Sequence, residues 1–166
     1  MNRPPNVVHE NQLEWAEESR PARFRFRRKP LGAVAGGRKL GCSLYEVLPG
    51  CRSWPYHYHW GNEEAIYVLE GSGTLRIAGQ EVPIAKGDYV ALPAGPAGAH
   101  QVMNSSHEPL RYLCFSTMIE PDVVLYPDSN KVGLVAGAAP GGPQEKRTFG
   151  MFLKADAQVS YWEGEE

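Results

Sequence analysis

The chain has 166 residues, 42% of them apolar, and a formal charge of −2. This length suits one domain with a core, and so weak a charge favours neither nucleic acid nor an anionic membrane surface as a partner. No apolar run approaches the ~18 residues of a membrane helix, and Cys42, Cys51 and Cys114 have no CxxC spacing, which argues against a cysteine–metal cluster and for reduced thiols in a cytoplasmic protein.

Eighteen Gly and fourteen Pro point to short strands and tight turns more than helices. Residues 1–19 are polar, with early prolines and no apolar stretch of the kind a secretory signal needs. They are expected to form an arm with little structure, or a short helix around Leu13–Glu18. Next comes a basic stretch in which Phe24 and Phe26 alternate with Arg23, Arg25 and Arg27, the pattern of a strand with one apolar and one charged face. It reads as an edge strand whose charges discourage aggregation, or as a strand that pairs with another subunit; the other reading, a contact for an anion or nucleic acid, is disfavoured because the chain as a whole is slightly acidic.

From Leu40 to Phe115 the text is strand, turn, strand. Residues 42–50 alternate and end in Pro-Gly; residues 64–70 run into a Gly-Ser-Gly turn at 71–73; residues 74–84 read as a hairpin turning at Gly79-Gln80. Residues 86–95, 100–104 and 110–117 supply further strands. Such regular short spacing predicts an all-β sandwich or barrel. After Thr117 the text changes, with Pro121, Pro127 and a flexible loop at 138–144. The tail from Phe149 carries aromatics enough to dock on the body.

His57 and His59 would lie about 200° apart on a helix, but on a strand residues i and i+2 share a face. Pro55, Tyr56 and Tyr58 favour the strand. Glu64 opens the next strand, where Glu64, Ile66 and Val68 alternate with Ala65, Tyr67 and Leu69. If the first set looks inward, Glu64 joins the histidines and Glu63 points away. This stretch alone leaves open whether the histidines are ligands or hydrogen-bonded strand residues. Further along, His100, Val102 and Asn104 share another face.

Two longer patterns narrow the reading. One runs Gly50, His57-Tyr58-His59, Glu64, Gly71; the other runs Gly87, Pro93-Ala94-Gly95, His100, Asn104. They resemble the two motifs of the cupin superfamily, with one extra residue after Gly50 and two between Gly95 and His100. The short spacer, Ser72 to Lys86, is similar to that of compact microbial cupins, and the wider pattern looks like a group of bacterial single-domain cupins. Some of these are loosely related by label to sugar-phosphate isomerases and oxalate decarboxylases, though fold does not fix function.

The resemblance implies a double-stranded β-helix, a jelly-roll barrel, over residues 40–118. Residues 1–39 would be the arm and edge strand, and residues 119–166 an extension packing on the barrel, the whole forming one domain. It also implies that His57, His59, Glu64 and His100 hold one divalent transition metal. Three imidazoles and a carboxylate suit Mn, Fe, Ni, Co or Zn. Ile66, Val68 and Val102 would line the barrel mouth, with Tyr45, Arg76, Gln101, Arg111 and Tyr112 as weaker candidates for contacting a ligand. Trp54 and Trp60 either wall the mouth or bury area at a strand end, and Cys51 reads as a small buried hydrophobe. The function implied is a metalloenzyme acting on a small oxygen-rich molecule by isomerisation, decarboxylation or dioxygenation. The alternative is a module that binds or senses a sugar or small acid. Neither a general base nor a membrane or nucleic-acid contact is indicated, and a homodimer is expected.

Overall fold

A computed structural model describes residues 3–21 and 23–165. Its strands are β1 (Ala16–Arg20), β2 (Phe24–Lys29), β3 (Leu40–Val47), β4 (Tyr58–His59), β5 (Glu64–Glu70), β6 (Ser72–Ile77), β7 (Gln80–Ala85), β8 (Tyr89–Leu92), β9 (His100–Met103), β10 (Leu110–Thr117), β11 (Asp122–Tyr126), β12 (Lys131–Ala136) and β13 (Phe149–Lys154). One short helix, α1 (Leu31–Val34), and several 3-10 turns complete the described residues. No helix is long and apolar enough to cross a membrane.

The strands form an all-β double-stranded β-helix. One sheet has the order β1-β2-β3-β10-β5-β8; a second has β13-β12-β11-β4; a third has β7-β6-β9. An antiparallel bridge between His57 and His100 joins the β4 edge of the second sheet to the β9 edge of the third. The alternation in β5 works as its sequence implies. Ile66 and Val68 are buried while Tyr67 is exposed, because successive side chains point to opposite faces. Ile66 and Val68 pack with Tyr45, Val47, Leu75, Val102, Leu110 and Tyr112 in the main core.

Three local expectations need correction. The β6–β7 hairpin turns at Ala78-Gly79, one residue earlier than read, with Ile77 paired to Gln80. Both turn residues have positive φ, 46° and 81°, as a two-residue turn matched to strand twist requires. The stretch 13–18 is not helical: a 3-10 turn covers Glu10–Gln12, and β1 begins at Ala16. Nor is the Phe/Arg stretch an edge strand. β2 is paired on one side with β1 and on the other with β3, so the edge falls to β1. Glu17 of β1 lies opposite Arg27, and opposite charges in such a pair favour this docking.

Beyond Thr117, β11 pairs with both β4 and β12, and β13 pairs with β12. All six residues of β13 are exposed, as are Tyr161 and Trp162. The tail therefore attaches through backbone hydrogen bonds more than by burying its aromatics.

Candidate metal centre

The three sheets meet around the histidines. Glu64 begins β5 in the six-stranded sheet, His59 lies on β4 in the second sheet and His100 opens β9 in the third. His57 stands one residue before β4, held by reciprocal backbone hydrogen bonds with His100 (3.1 and 2.9 Å). The ligand atoms of His57, His59 and Glu64 lie within 4.8 Å of one another. His100 approaches the same carboxylate: its Nε2 is 3.5 Å from Glu64 Oε2, and His59 Nε2 is 3.6 Å from that oxygen. The His57 ring lies 5.1 Å from that of His59 and 4.7 Å from that of His100, centroid to centroid.

The two-residue insertion before His100 is absorbed by a 3-10 turn over Pro96–Gly98. Gly98 is required there, because a Cβ at this position would overlap the Pro93 carbonyl oxygen. Gly95 enters the turn with φ +88° beneath the Trp60 ring, a conformation that favours glycine.

Each imidazole is oriented from behind. His57 Nδ1 donates to the Pro55 carbonyl (2.7 Å) and His100 Nδ1 to the Gly98 carbonyl (3.0 Å). His59 Nδ1 donates to the Asp122 carboxylate (2.6 Å). These oxygens accept, so Nδ1 carries the proton and the Nε2 lone pair is left for the interior. Asp122 is held in turn by the Gly61 N–H (2.8 Å). Protonation follows from these surroundings. Burial, then the neighbouring His100 and His59, hold the His57 pKa well below the ordinary imidazole value. Burial also lowers that of His100, against the pull of Glu64. Burial acts the same way on His59, but the Asp122 hydrogen bond and the charges of Glu64 and Asp122 outweigh it and leave the pKa raised. Burial opposes the Asp122 charge, yet the hydrogen bonds from His59 and its neighbours leave the pKa lowered. The imidazoles of His57 and His59 and the Glu64 carboxylate lie close enough together to hold a metal ion, with His100 beside Glu64, and nitrogen and oxygen donors of this kind suit a divalent transition metal.

A cavity of about 460 Å³ opens over this cluster. Tyr45, Gln101 and Tyr112 line it, as do Ile66 and Val102. Tyr45 and Tyr112 stack with centroids 5.2 Å apart, and burial raises both phenol pKa values. Arg76 and Arg111 are elsewhere: Arg76 grips Asp128 (2.6 and 3.0 Å) over the Tyr56 ring, and Arg111 pairs with Glu10 (2.6 Å). Val68 is sealed in the core. Trp54 walls the cavity and donates to the Tyr45 hydroxyl (3.1 Å); Trp60 packs on Tyr58 outside it. Cys51 packs half-buried against the main core.

Sequence reasoning named Arg28 within a basic stretch open to an anion contact but did not bring it to this site, and it overlooked Asp122, Tyr126, Arg147 and Phe152. Arg28, Tyr126, Arg147 and Phe152 line the cavity, and Tyr126 lies nearly parallel over His57, 5.9 Å between centroids. A signal for Asp122 does exist. It alternates with Val124 on the buried face of β11, and an acid on an apolar strand face asks for a partner.

Residues 43–116 match the family described as the cupin domain, and the chain carries a small cupin-type domain. A candidate sugar phosphate isomerase from Acidithiobacillus ferrooxidans has a solved structure similar to this one, with TM-score 0.79 and 27% identity, over 94% of this chain and 96% of that one. A cupin-superfamily sugar phosphate isomerase from Silicibacter pomeroyi shares the fold, with TM-score 0.76 and 23% identity, over 93% and 97% of the two chains. An uncharacterised protein of Methanocaldococcus jannaschii is 35% identical over 60 residues, which are 36% of this chain and 46% of that protein. The match thus spans less than half the length of that relative.

Proposed function

We propose that the chain is a metal-dependent enzyme acting on a small oxygen-rich molecule, with His57, His59, Glu64 and His100 holding one divalent transition metal. The observation that carries this reading is the approach of the His59 and His100 Nε2 atoms to Glu64, with a ligand atom of His57 within 4.8 Å of those of His59 and Glu64 and every Nδ1 occupied by an acceptor. A metal bound there would supply Lewis-acid polarisation of a ligand oxygen, or redox chemistry if the metal is iron.

The chain's own residues do the rest. Asp122 orients His59, the Pro55 and Gly98 carbonyls orient His57 and His100, and apolar Ile66, Val102 and Val124 help exclude water. Tyr126 is protonated at neutral pH, as an ordinary phenol is, and burial raises its pKa further, so it can donate to a ligand oxygen. A cavity lined by tyrosines and arginines favours an enzyme over a passive binder, which would be served by a closed apolar lining. Among the reaction classes, isomerisation is supported by the Acidithiobacillus ferrooxidans relative, which matches nearly the whole chain. We further propose one domain, a cytoplasmic setting and a homodimer. The dimer is supported by the exposed apolar residues Phe149, Met151 and Leu153, which alternate on one face of β13.

The test is metal content by plasma mass spectrometry on untagged wild type, His57→Ala and His100→Ala. Near-stoichiometric transition metal in wild type and its loss in both variants is the expected result. Wild type that stays empty after incubation with each ion would remove the metal reading and leave a binding module.

A further inference from the structure

Two arginines line the cavity, one from each flank of the region that matches the cupin domain: Arg28 precedes residue 43 and Arg147 follows residue 116. Arg28 lies on β2, two residues beyond Phe26 and therefore on the same face. Phe26 is buried there against Tyr45 and Trp54, with centroids 5.9 and 4.7 Å away. A guanidinium thus continues the inward, apolar face of this strand. Arg147 follows the 3-10 turn Gln144–Lys146, and its Nε is buried with no hydrogen-bond partner among the described residues.

Neither arginine makes an ion pair with a carboxylate among the described residues. Elsewhere on the molecule Arg27 holds Glu46 at 2.7 Å, Arg76 holds Asp128 and Arg111 holds Glu10. Inside the cavity the lining carboxylate is Glu64, and it faces the Nε2 atoms of His59 and His100. It is engaged by the centre and is not available to the arginines. A guanidinium in contact with bulk water needs no protein partner, but a buried N–H does. Two cationic forks and no competing acid, in a cavity with apolar walls, make a field and a donor geometry suited to anionic oxygens.

We propose that Arg28 and Arg147 are an anion-binding pair, so that the ligand of this cavity carries a carboxylate or phosphate group in addition to the oxygens presented to the centre. This rests on reading the cavity as a ligand site. It assigns recognition of the anion to the two flanking segments, while the proposed metal ligands lie within the matched region.

The experiment is isothermal titration of the whole chain with inorganic phosphate, malonate and the neutral polyol erythritol. Wild type is compared with Arg28→Gln, Arg147→Gln and the control Arg52→Gln, a half-buried arginine outside the cavity, with metal content measured on each preparation and circular dichroism used to confirm folding. Phosphate or malonate should bind, whichever is tighter naming the preferred anionic group, and erythritol should not. Each cavity substitution should weaken anion binding by about tenfold, the loss typical of a charge-assisted hydrogen bond, while Arg52→Gln binds as wild type and metal content stays the same. Folded Arg28→Gln and Arg147→Gln that bind like wild type, erythritol binding as well as the anions, or no binding of either anion even at high millimolar concentration would overturn the proposal. Failure of the metal reading is distinguishable: metal-free wild type whose anion binding still depends on both arginines removes the metal and leaves the pair standing.

Discussion

Asp122 acts on the site through His59. Its carboxylate fixes the Nδ1 tautomer and aims Nε2 inward, and partners of this kind typically change metal affinity by about 10–100-fold. Asp122→Asn should therefore bind metal about tenfold or more weakly than wild type, measured by chelator competition, with the fold retained. A second prediction concerns pH. In the metal-free protein His57 and His100 resist protonation because they are buried. Below an unfolded-state value of about 6.5 the unfolded chain takes protons that these two refuse, so stability falls as pH falls. His59 contributes with the opposite sign, since its raised pKa gives stability that is present at low pH and lost as pH rises through its folded value. The His57 pKa lies well below the ordinary value and that of His100 is lowered with it, so the urea midpoint of chelator-treated protein should drop between pH 7 and pH 5. His57→Gln should show a shallower drop.

The elements explain why these side chains reach one place. β4 is two residues long, too short to hold two histidines unaided. It is clamped by β11 on one side, with Val124 opposite His59, and by the His57–His100 bridge on the other. The 3-10 turn ahead of β9 sets the position of His100. Gly98→Ala would force that turn away from Pro93, at a cost of about 2 kcal/mol in stability, and would displace His100. Denaturant melts and metal content should both fall. The pairing of His57 with His59, and of both with Glu64, was legible because strand alternation is local. Asp122 was not read, because it lies 63 residues from its partner and its stretch resembles a turn-rich linker.

For the molecule as a whole, the flanking segments complete what the matched region begins. Arg28 comes from β2, and Tyr126, Arg147 and Phe152 come from beyond Thr117; together they roof the cavity. β13 shows two faces, both exposed: Phe152 borders the cavity on one, while Phe149, Met151 and Leu153 lie on the other, outer face. If that outer face is the dimer contact, size-exclusion chromatography with light scattering should give twice the chain mass at micromolar concentration. Phe149→Asp combined with Met151→Asp should reduce it to one. A monomeric wild type would reject the homodimer.

The sequence by itself determined the all-β class, the inward face of β5 and the two motifs that resemble cupins, because alternation and glycine-bounded turns depend on neighbours a few residues apart. Only the tertiary structure decided which strand is the edge, which tyrosines and arginines line the cavity, and that Asp122 stands behind His59. Those outcomes depend on which distant strands pair, and backbone hydrogen bonds join β2, β4 and β11 to their partners without any signature in the side-chain pattern of a single strand.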